Sequence, residues 1–286
     1  MSTAALPVRP KGRRLGYRIE PSRRRFTLNL RELWEYRELL YFLVWRDLKI
    51  RYQQTLLGIS WAVIQPFVTM IVFTVIFNRL GGIQPEYHVP YPLFVTAGLL
   101  PWFYFNVALG KVAGSVVANA GLVSKIYFPR LLIPIGNAIV PLADFIASFA
   151  LLIVMFLWYG RLPHWHAIAI PFFLGMALFT ALGVGLWLAA LNVRYRDVAY
   201  LVGFMTQIWL FVTPIAYGTS AVPERLKWLV SLNPLTGVID GFRWTVLGRG
   251  LPHYDVYALS WGVAILLTLT GLWYFRRTER EFADII

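Results

Sequence analysis

The sequence predicts an all-α integral membrane protein. It has six transmembrane helices with both termini cytosolic, an N-terminal interfacial amphipathic helix, and an outer-leaflet re-entrant helical hairpin between spans five and six. Three observations carry this reading. Apolar residues are 58% of the 286 and charged residues only 14%, against roughly 45–50% and about 25% in soluble domains. So little polar cover cannot enclose that much apolar surface in water. Between charged residues or histidines the chain holds six long neutral windows, 52–78, 89–110, 131–160, 167–193, 198–223 and 256–275, broken only by Asp144 in the third. The basic residues are also unevenly placed, with 13 of the 27 Lys+Arg before residue 52.

Each element follows in order. Residues 1–28 read as a basic cytosolic tail, punctuated by Pro and Gly and without the apolar core of a secretion signal. It either lies on anionic headgroups or only marks topology. Residues 29–52 place Leu33, Tyr36, Leu40, Leu43, Val44 and Leu48 at helical spacing, with Arg31, Glu35, Glu38, Asp47 and Lys49 elsewhere around the helix; this is the interfacial helix. The six-span domain occupies 53–286. Crossing the hydrocarbon takes about 20 apolar residues in a helix, and period-2 alternation is absent. The spans are therefore placed at 58–79, 91–111, 132–158, 168–191, 200–217 and 257–275. Between the last two, Pro223, Pro234 and Gly237 interrupt apolar stretches too short to cross, Leu226–Leu232 and Leu235–Leu247, hence the re-entrant hairpin. With the N-terminus inside, 21 basic residues fall on the cytosolic side and six outside, which orients the chain.

The residues also exclude chemistry. There is no cysteine, so disulfides and cysteine nucleophiles are out. No phosphate loop exists, Gly110-Lys111 being the nearest approach, and neither an aspartate-rich metal motif nor a nucleophile elbow appears. His164 and His166 could ligate a metal but have no third partner, and read as a solvated loop pair. Basic charge alone would suit a nucleic acid; the apolar windows argue against one. Asp144, the only acid within a span, reads as paired with a backbone or hydroxyl group, the alternative being a substrate role. Asp47 and Arg51 have the i,i+4 spacing of a helical ion pair.

Several blocks stand out in order along the chain: Arg46-Asp47-Leu48-Lys49-Ile50-Arg51-Tyr52, Leu57-Gly58-Ile59-Ser60-Trp61 and Gln65-Pro66. Next come Gly98-Leu99-Leu100-Pro101-Trp102 and Leu122 to Arg130, which contains Tyr127-Phe128-Pro129. Leu191 to Val198, Thr213-Pro214, Asn233-Pro234, Gly241-Phe242-Arg243-Trp244 and Phe275 to Arg280 complete the set. Over about residues 37–282 the chain resembles the permease subunits of bacterial ABC transporters that export lipid-linked polysaccharide of O-antigen, capsule or teichoic-acid type.

The resemblance implies a homodimer in the bacterial inner membrane, two copies of a separate cytosolic ATPase subunit that binds ATP and Mg, and no cofactor on this chain. It implies a lipid carrier whose diphosphate lies at headgroup depth, where Arg46, Lys49 and Arg51 sit and where Arg clamps phosphate oxygens; ordinary positive-inside flanking explains the same three residues. Lys125, Tyr127, Phe128 and Arg130 lie in the loop that in the family plugs into the ATPase, as an exposed aromatic pair would; burial of that pair on the subunit's own amphipathic helix is the alternative. Trp61, Gln65 and Thr69 on span one, with Thr206, Trp209, Thr213 and Tyr217 on span five, form polar-aromatic stripes suited to a glycan conduit. Helix packing with Thr hydrogen bonds explains each of them equally well. The rival functions are a membrane glycosyl- or acyltransferase acting on polyprenyl-linked sugars, and an ion channel.

Overall fold

The computed structural model describes residues 30–53, 58–86, 89–248 and 254–285, and among these all regular structure is helical. The 1–28 tail lies outside the described residues. The 29–52 segment forms two helices, α1 (Leu30–Glu35) and α2 (Arg37–Gln53), with a turn at Tyr36. α3 (Ser60–Phe73) runs on as a π-helix, Thr74–Leu80. α4 (Tyr91–Ala118) is followed by the short α5 (Ala120–Lys125), then α6 (Leu132–Ile139) and α7 (Leu142–Trp158). A 3-10 turn, Trp165–Ala169, leads into α8 (Ile170–Arg194), followed by α9 (Val198–Val212). The chain closes with α10 (Glu224–Ser231), α11 (Pro234–Leu247), α12 (Tyr254–Thr278) and α13 (Phe282–Ile285).

Among the described residues, five helical segments are long and apolar enough to cross a membrane: Ser60–Leu80, Tyr91–Ala118, Leu132–Trp158, Trp165–Arg194 and Tyr254–Thr278. They match five of the six windows. The window at 200–217 differs, because its helix α9 stops at Val212 after 15 residues, short of the about 20 a crossing needs. Pro214 is the cause: it has no N–H and drives the residue before it out of the helical region, and Thr213 is extended with ψ 136°. The third window is also divided. Pro141 separates α6 from α7, and the Tyr104 hydroxyl donates to the Ala138 carbonyl at 3.0 Å, serving backbone beside the break.

α4 is the axle of the fold. Leu93, Phe94, Leu99, Leu100, Trp102 and Phe105 are all buried, and α4 packs against α8, α6, α11, α7, α3 and α9. A second core gathers at the α2 end of the bundle, where Leu43, Val123, Phe128, Leu132, Phe275 and Phe282 come together. It also takes up the apolar stripe of the N-terminal helices. Leu33, Tyr36, Leu40 and Leu43, the stripe picked out by periodicity, pack on the protein itself. A Cβ on Gly136 of α6 would come within 3.5 Å of Leu40, so the small residue lets α2 approach closely. The face turned outward is aromatic: Trp34, Tyr41, Phe42 and Trp45 are exposed, a composition suited to headgroup depth.

The interrupted stretch at 222–250 does form two short helices. Asn233 caps α11, its side chain accepting from the Leu235 amide at 3.1 Å, and Pro234 fills the first turn, where a missing N–H costs nothing. Gly248 ends the helix in the left-handed region with φ 66°, as a C-terminal glycine does.

Candidate functional site

At the α2 end, α2, α3, α4 and α7 enclose a cavity of about 200 Å³. Arg51 and Tyr52 enter it from the last turn of α2, Trp61 and Gln65 from α3, Phe103 and Val107 from α4, and Asp144 and Ser148 from α7. α3, α4 and α7 supply residues at i, i+3 or i+4, so one face of each turns toward the same space, and α2 contributes the adjacent pair from its last turn. Asp144 lies in the first turn of α7, where the N-terminal dipole favours a carboxylate. Both of its oxygens are engaged. Arg51 Nη2 lies 2.5 Å from Oδ2, and the Tyr52 hydroxyl donates to Oδ1 at 2.5 Å. Burial and the neighbouring carboxylate push the Tyr52 hydroxyl well above its ordinary pKa, so it remains a donor throughout the physiological range. Ser148 Oγ bonds the Ala62 carbonyl at 2.6 Å, tying α7 to α3.

Asp144 has the expected hydroxyl partner, Tyr52, together with the Arg51 guanidinium. One expectation is corrected here: Arg51 pairs with Asp144 in place of Asp47. Asp47 instead accepts from Arg46 at 2.8 Å, and Arg46 Nη2 also donates to Asn119 Oδ1 at 2.8 Å. Lys49 is exposed. The three cations proposed to act together thus occupy three settings, because the about 100° step per residue fans them around the helix.

The aromatic-polar set also splits. Trp61 and Gln65 are exposed at the cavity mouth and Thr69 is half-buried, its hydroxyl bonding back to the Gln65 carbonyl at 2.9 Å. On α9 the residues turn inward: Trp209 Nε1 donates to Asn233 Oδ1 at 3.0 Å, and Asn233 Nδ2 donates to Thr213 Oγ1 at 2.9 Å. Thr206 and Thr213 are buried and Tyr217 half-buried. This half of the set binds α9 to the start of α11, as helix packing would require.

The 122–130 block lies at the same end of the bundle. Tyr127 is 86% exposed and Phe128 only 5%, so the pair is not uniformly exposed; Phe128 anchors the loop in the second core while Tyr127 stands clear. Lys125 is exposed and Arg130 half-buried. Beneath Arg130, Arg276 Nη1 donates to Glu279 Oε1 at 3.0 Å. Burial raises the Glu279 carboxyl above its ordinary pKa, against the pull of Arg276 and Arg130.

Sequence reasoning missed one residue at the other end. Arg243 of α11, given no role beyond an outward basic residue within the Gly241–Trp244 block, is fully buried. Its guanidinium donates to the Pro214 carbonyl at 2.8 Å and the Ile215 carbonyl at 2.5 Å, and lies 3.8 Å from the Phe94 ring centre. It serves the carbonyls left over where α9 stops. The signal was a lone Arg between Phe242 and Trp244. His166, weighed as a metal ligand, stacks on Trp244 with ring centres 4.2 Å apart.

Comparison with known proteins places this geometry. The chain is 29% identical over 260 residues to an O-antigen export system permease protein, RfbA, of Myxococcus xanthus, covering 90% of this chain and 98% of that one. It is 30% identical over 252 residues to the protein of the same name from Klebsiella pneumoniae, covering 87% and 95%. With the polysialic acid transport protein KpsM of Escherichia coli it shares 21% over 232 residues, covering 79% and 86%. The ABC-2 type transporter family model matches residues 38–247, from α2 through the end of α11, and the chain belongs to that family.

Proposed function

We propose that this chain is the permease subunit of an ATP-driven exporter of lipid-linked polysaccharide in a bacterial inner membrane. It works as a homodimer with two copies of a separate cytosolic ATPase subunit, which binds ATP and Mg. The observation that carries the reading is similarity to polysaccharide-export permeases along nearly their whole length. The geometry supports it: a rigidly anchored loop presents Tyr127, Lys125 and Ile126 at one end of the bundle, as a docking element for a partner should. Both termini are cytosolic, and the fifth crossing is completed by α9 with the 213–217 turn segment that follows it. α10 and α11 form a hairpin within the outer leaflet. The uncovered apolar faces of α3 and α9, including Phe67, Ile71, Phe204 and Phe211, are shared between lipid and the second copy. Trp61, Gln65 and Thr69 face the glycan, and Arg46, Lys49 and Arg51 line its carrier's approach at headgroup depth.

Two expected results test this. The purified chain alone turns over no ATP, whereas co-expression with its ATPase yields a complex that does; ATP turnover by the isolated chain would sink the proposal. Tyr127→Ala weakens capture of the ATPase by about tenfold or more and abolishes surface polysaccharide, with membrane abundance unchanged. Phe128→Ala instead costs about 3 kcal/mol of stability through the cavity it leaves. Equal capture by wild type and Tyr127→Ala would remove the loop from the docking surface.

A further inference from the structure

The Arg51–Asp144 pair presents an unusual arrangement for a structural salt bridge. It borders a cavity instead of filling one, with side chains 30% and 14% exposed. Asp144 Oδ2 faces Arg51 as a charge partner but makes no well-directed hydrogen bond. The volume of about 200 Å³ equals roughly seven waters at about 30 Å³ each, room for a phosphate group or two but not for a sugar chain. A second cation stands close by. Leu100, Tyr104 and Val107 line the cavity from α4, and Lys111 follows Val107 one turn further on, within electrostatic range of Arg51, Asp47 and Asp144. Arg46, Arg51 and Lys111 set against Asp47 and Asp144 leave one net positive charge. Arg46 is committed to Asp47 and Asn119, so the surplus belongs to the Arg51–Lys111 side.

We propose that this cavity is an anion subsite in which a terminal phosphate or diphosphate replaces Asp144 as the partner of Arg51, with Lys111 as the second cation. The inference deepens the exporter reading and rests on it for the source of the ligand. It assigns Lys111 to the site and removes Arg46 and Lys49 from it. Asp144 acts as a resident competitor: with the site empty it neutralises Arg51, avoiding an unpaired charge beside lipid. A diphosphate carries at least two negative charges against the single charge of the carboxylate and presents oxygens to the guanidinium fork. A phosphodiester carries one and gains no charge advantage, so bulk phospholipid does not hold the site. Occupation also breaks the ionic tie between α2 and α7, the only one among the described residues between these two helices, and leaves the Tyr52–Asp144 hydrogen bond as their remaining polar link.

The test measures binding of radiolabelled farnesyl diphosphate to the permease–ATPase complex in a phosphate-free detergent. Asp144→Asn removes the competing charge and is expected to tighten binding about tenfold; Arg51→Ala is expected to weaken it at least tenfold. Lys111→Gln leaves the Arg51–Asp144 pair intact and is expected to weaken binding about fivefold, which keeps the test open should Asp144→Asn fail to accumulate. Competition by inorganic pyrophosphate at similar concentration would name free phosphate as a source, and competition by prenyl diphosphates alone would name the lipid headgroup; either supports the subsite. Unchanged or weaker binding in Asp144→Asn overturns the exchange. Unchanged binding in Lys111→Gln, or equal binding of farnesol, overturns the site. Polysaccharide export by a wild-type complex that binds no diphosphate would overturn the subsite while leaving the exporter reading standing. Diphosphate exchange in a protein that exports no polymer would do the reverse.

Discussion

Replacing Arg243 with Ala is expected to lower the melting temperature of the detergent-solubilised protein by about 10 °C and to reduce its abundance in the membrane. The side chain holds four backbone carbonyls, those of Phe94, Pro214, Ile215 and Tyr217, and lies 3.7 Å from the buried carboxylate of Asp240. Its loss strands all of them. Removing one member of a buried ionic group costs about 3–5 kcal/mol, and about 2–4 °C accompanies each kcal/mol in a chain of this size class. Arg243→Lys keeps the charge but has three donors on one atom, so it cannot reach carbonyls on both sides and should recover less than half the loss. A companion variant probes the same knot from α4. A Cβ at Gly98 would sit 2.7 Å from Arg243 Nη2, so Gly98→Ala should destabilise by displacing the guanidinium. A wild-type melting curve for Arg243→Ala would show that water, not the guanidinium, serves those carbonyls.

The second large effect is expected where α8 and α12 cross. A Cβ built on Gly183 would lie 2.6 Å from the Thr268 amide nitrogen, and one on Gly271 would collide with the Gly183 carbonyl oxygen. Both clashes are with backbone, which cannot rotate away as a side chain can. Around the contact, Thr268 Oγ1 donates to the Phe179 carbonyl at 2.9 Å and Trp187 stacks on Tyr274 with ring centres 4.2 Å apart. Gly271→Leu must force the helices apart and forfeit these together, costing at least about 3 kcal/mol, the upper end for overpacked cores. Gly262→Ala on the same helix meets nothing within 4 Å and should leave stability unchanged. Size-exclusion profiles of heated membranes compare the variants directly, and equal stability of Gly271→Leu and Gly262→Ala would refute the close crossing.

Much of this fold was legible because membrane helices announce themselves by length and apolarity alone. Four windows became helical segments within about three residues of their expected ends, and the second ran seven residues further, to Ala118. α9 was misjudged by the same criterion: its window counts Thr213 to Tyr217 as apolar span, and only the conformational demand of Pro214 shortens it. Charge patterns were less informative at the site. Spacing along α2 correctly placed Arg51 at the end of the helix, but its partner lies on α7, 93 residues away in sequence, and no local rule pairs such distant groups. Asp47 was equally available by spacing and lost because Arg46 holds it. Arg243 was read by topology counting, which treats every basic residue as a solvated marker; burial among Phe94, Phe242 and the 214–217 carbonyls is a tertiary fact.

The order of residues along the chain gives the Arg243 knot a consequence for biosynthesis. The carbonyls of Pro214, Ile215 and Tyr217 leave the ribosome before the side chain that will satisfy them, and α9 at 15 residues is a poor candidate for independent insertion. Until Arg243 emerges, this part of the nascent chain has exposed backbone and no stable resting place in the hydrocarbon. Its integration is therefore delayed until α11 has been made, after which α9, the 213–217 segment and α11 settle together against an α4 already in place. A chain truncated between Tyr217 and Arg243 should stall as a four-helix intermediate accessible to quality-control proteases, whereas one truncated just beyond Leu247 should already protect α9 from them.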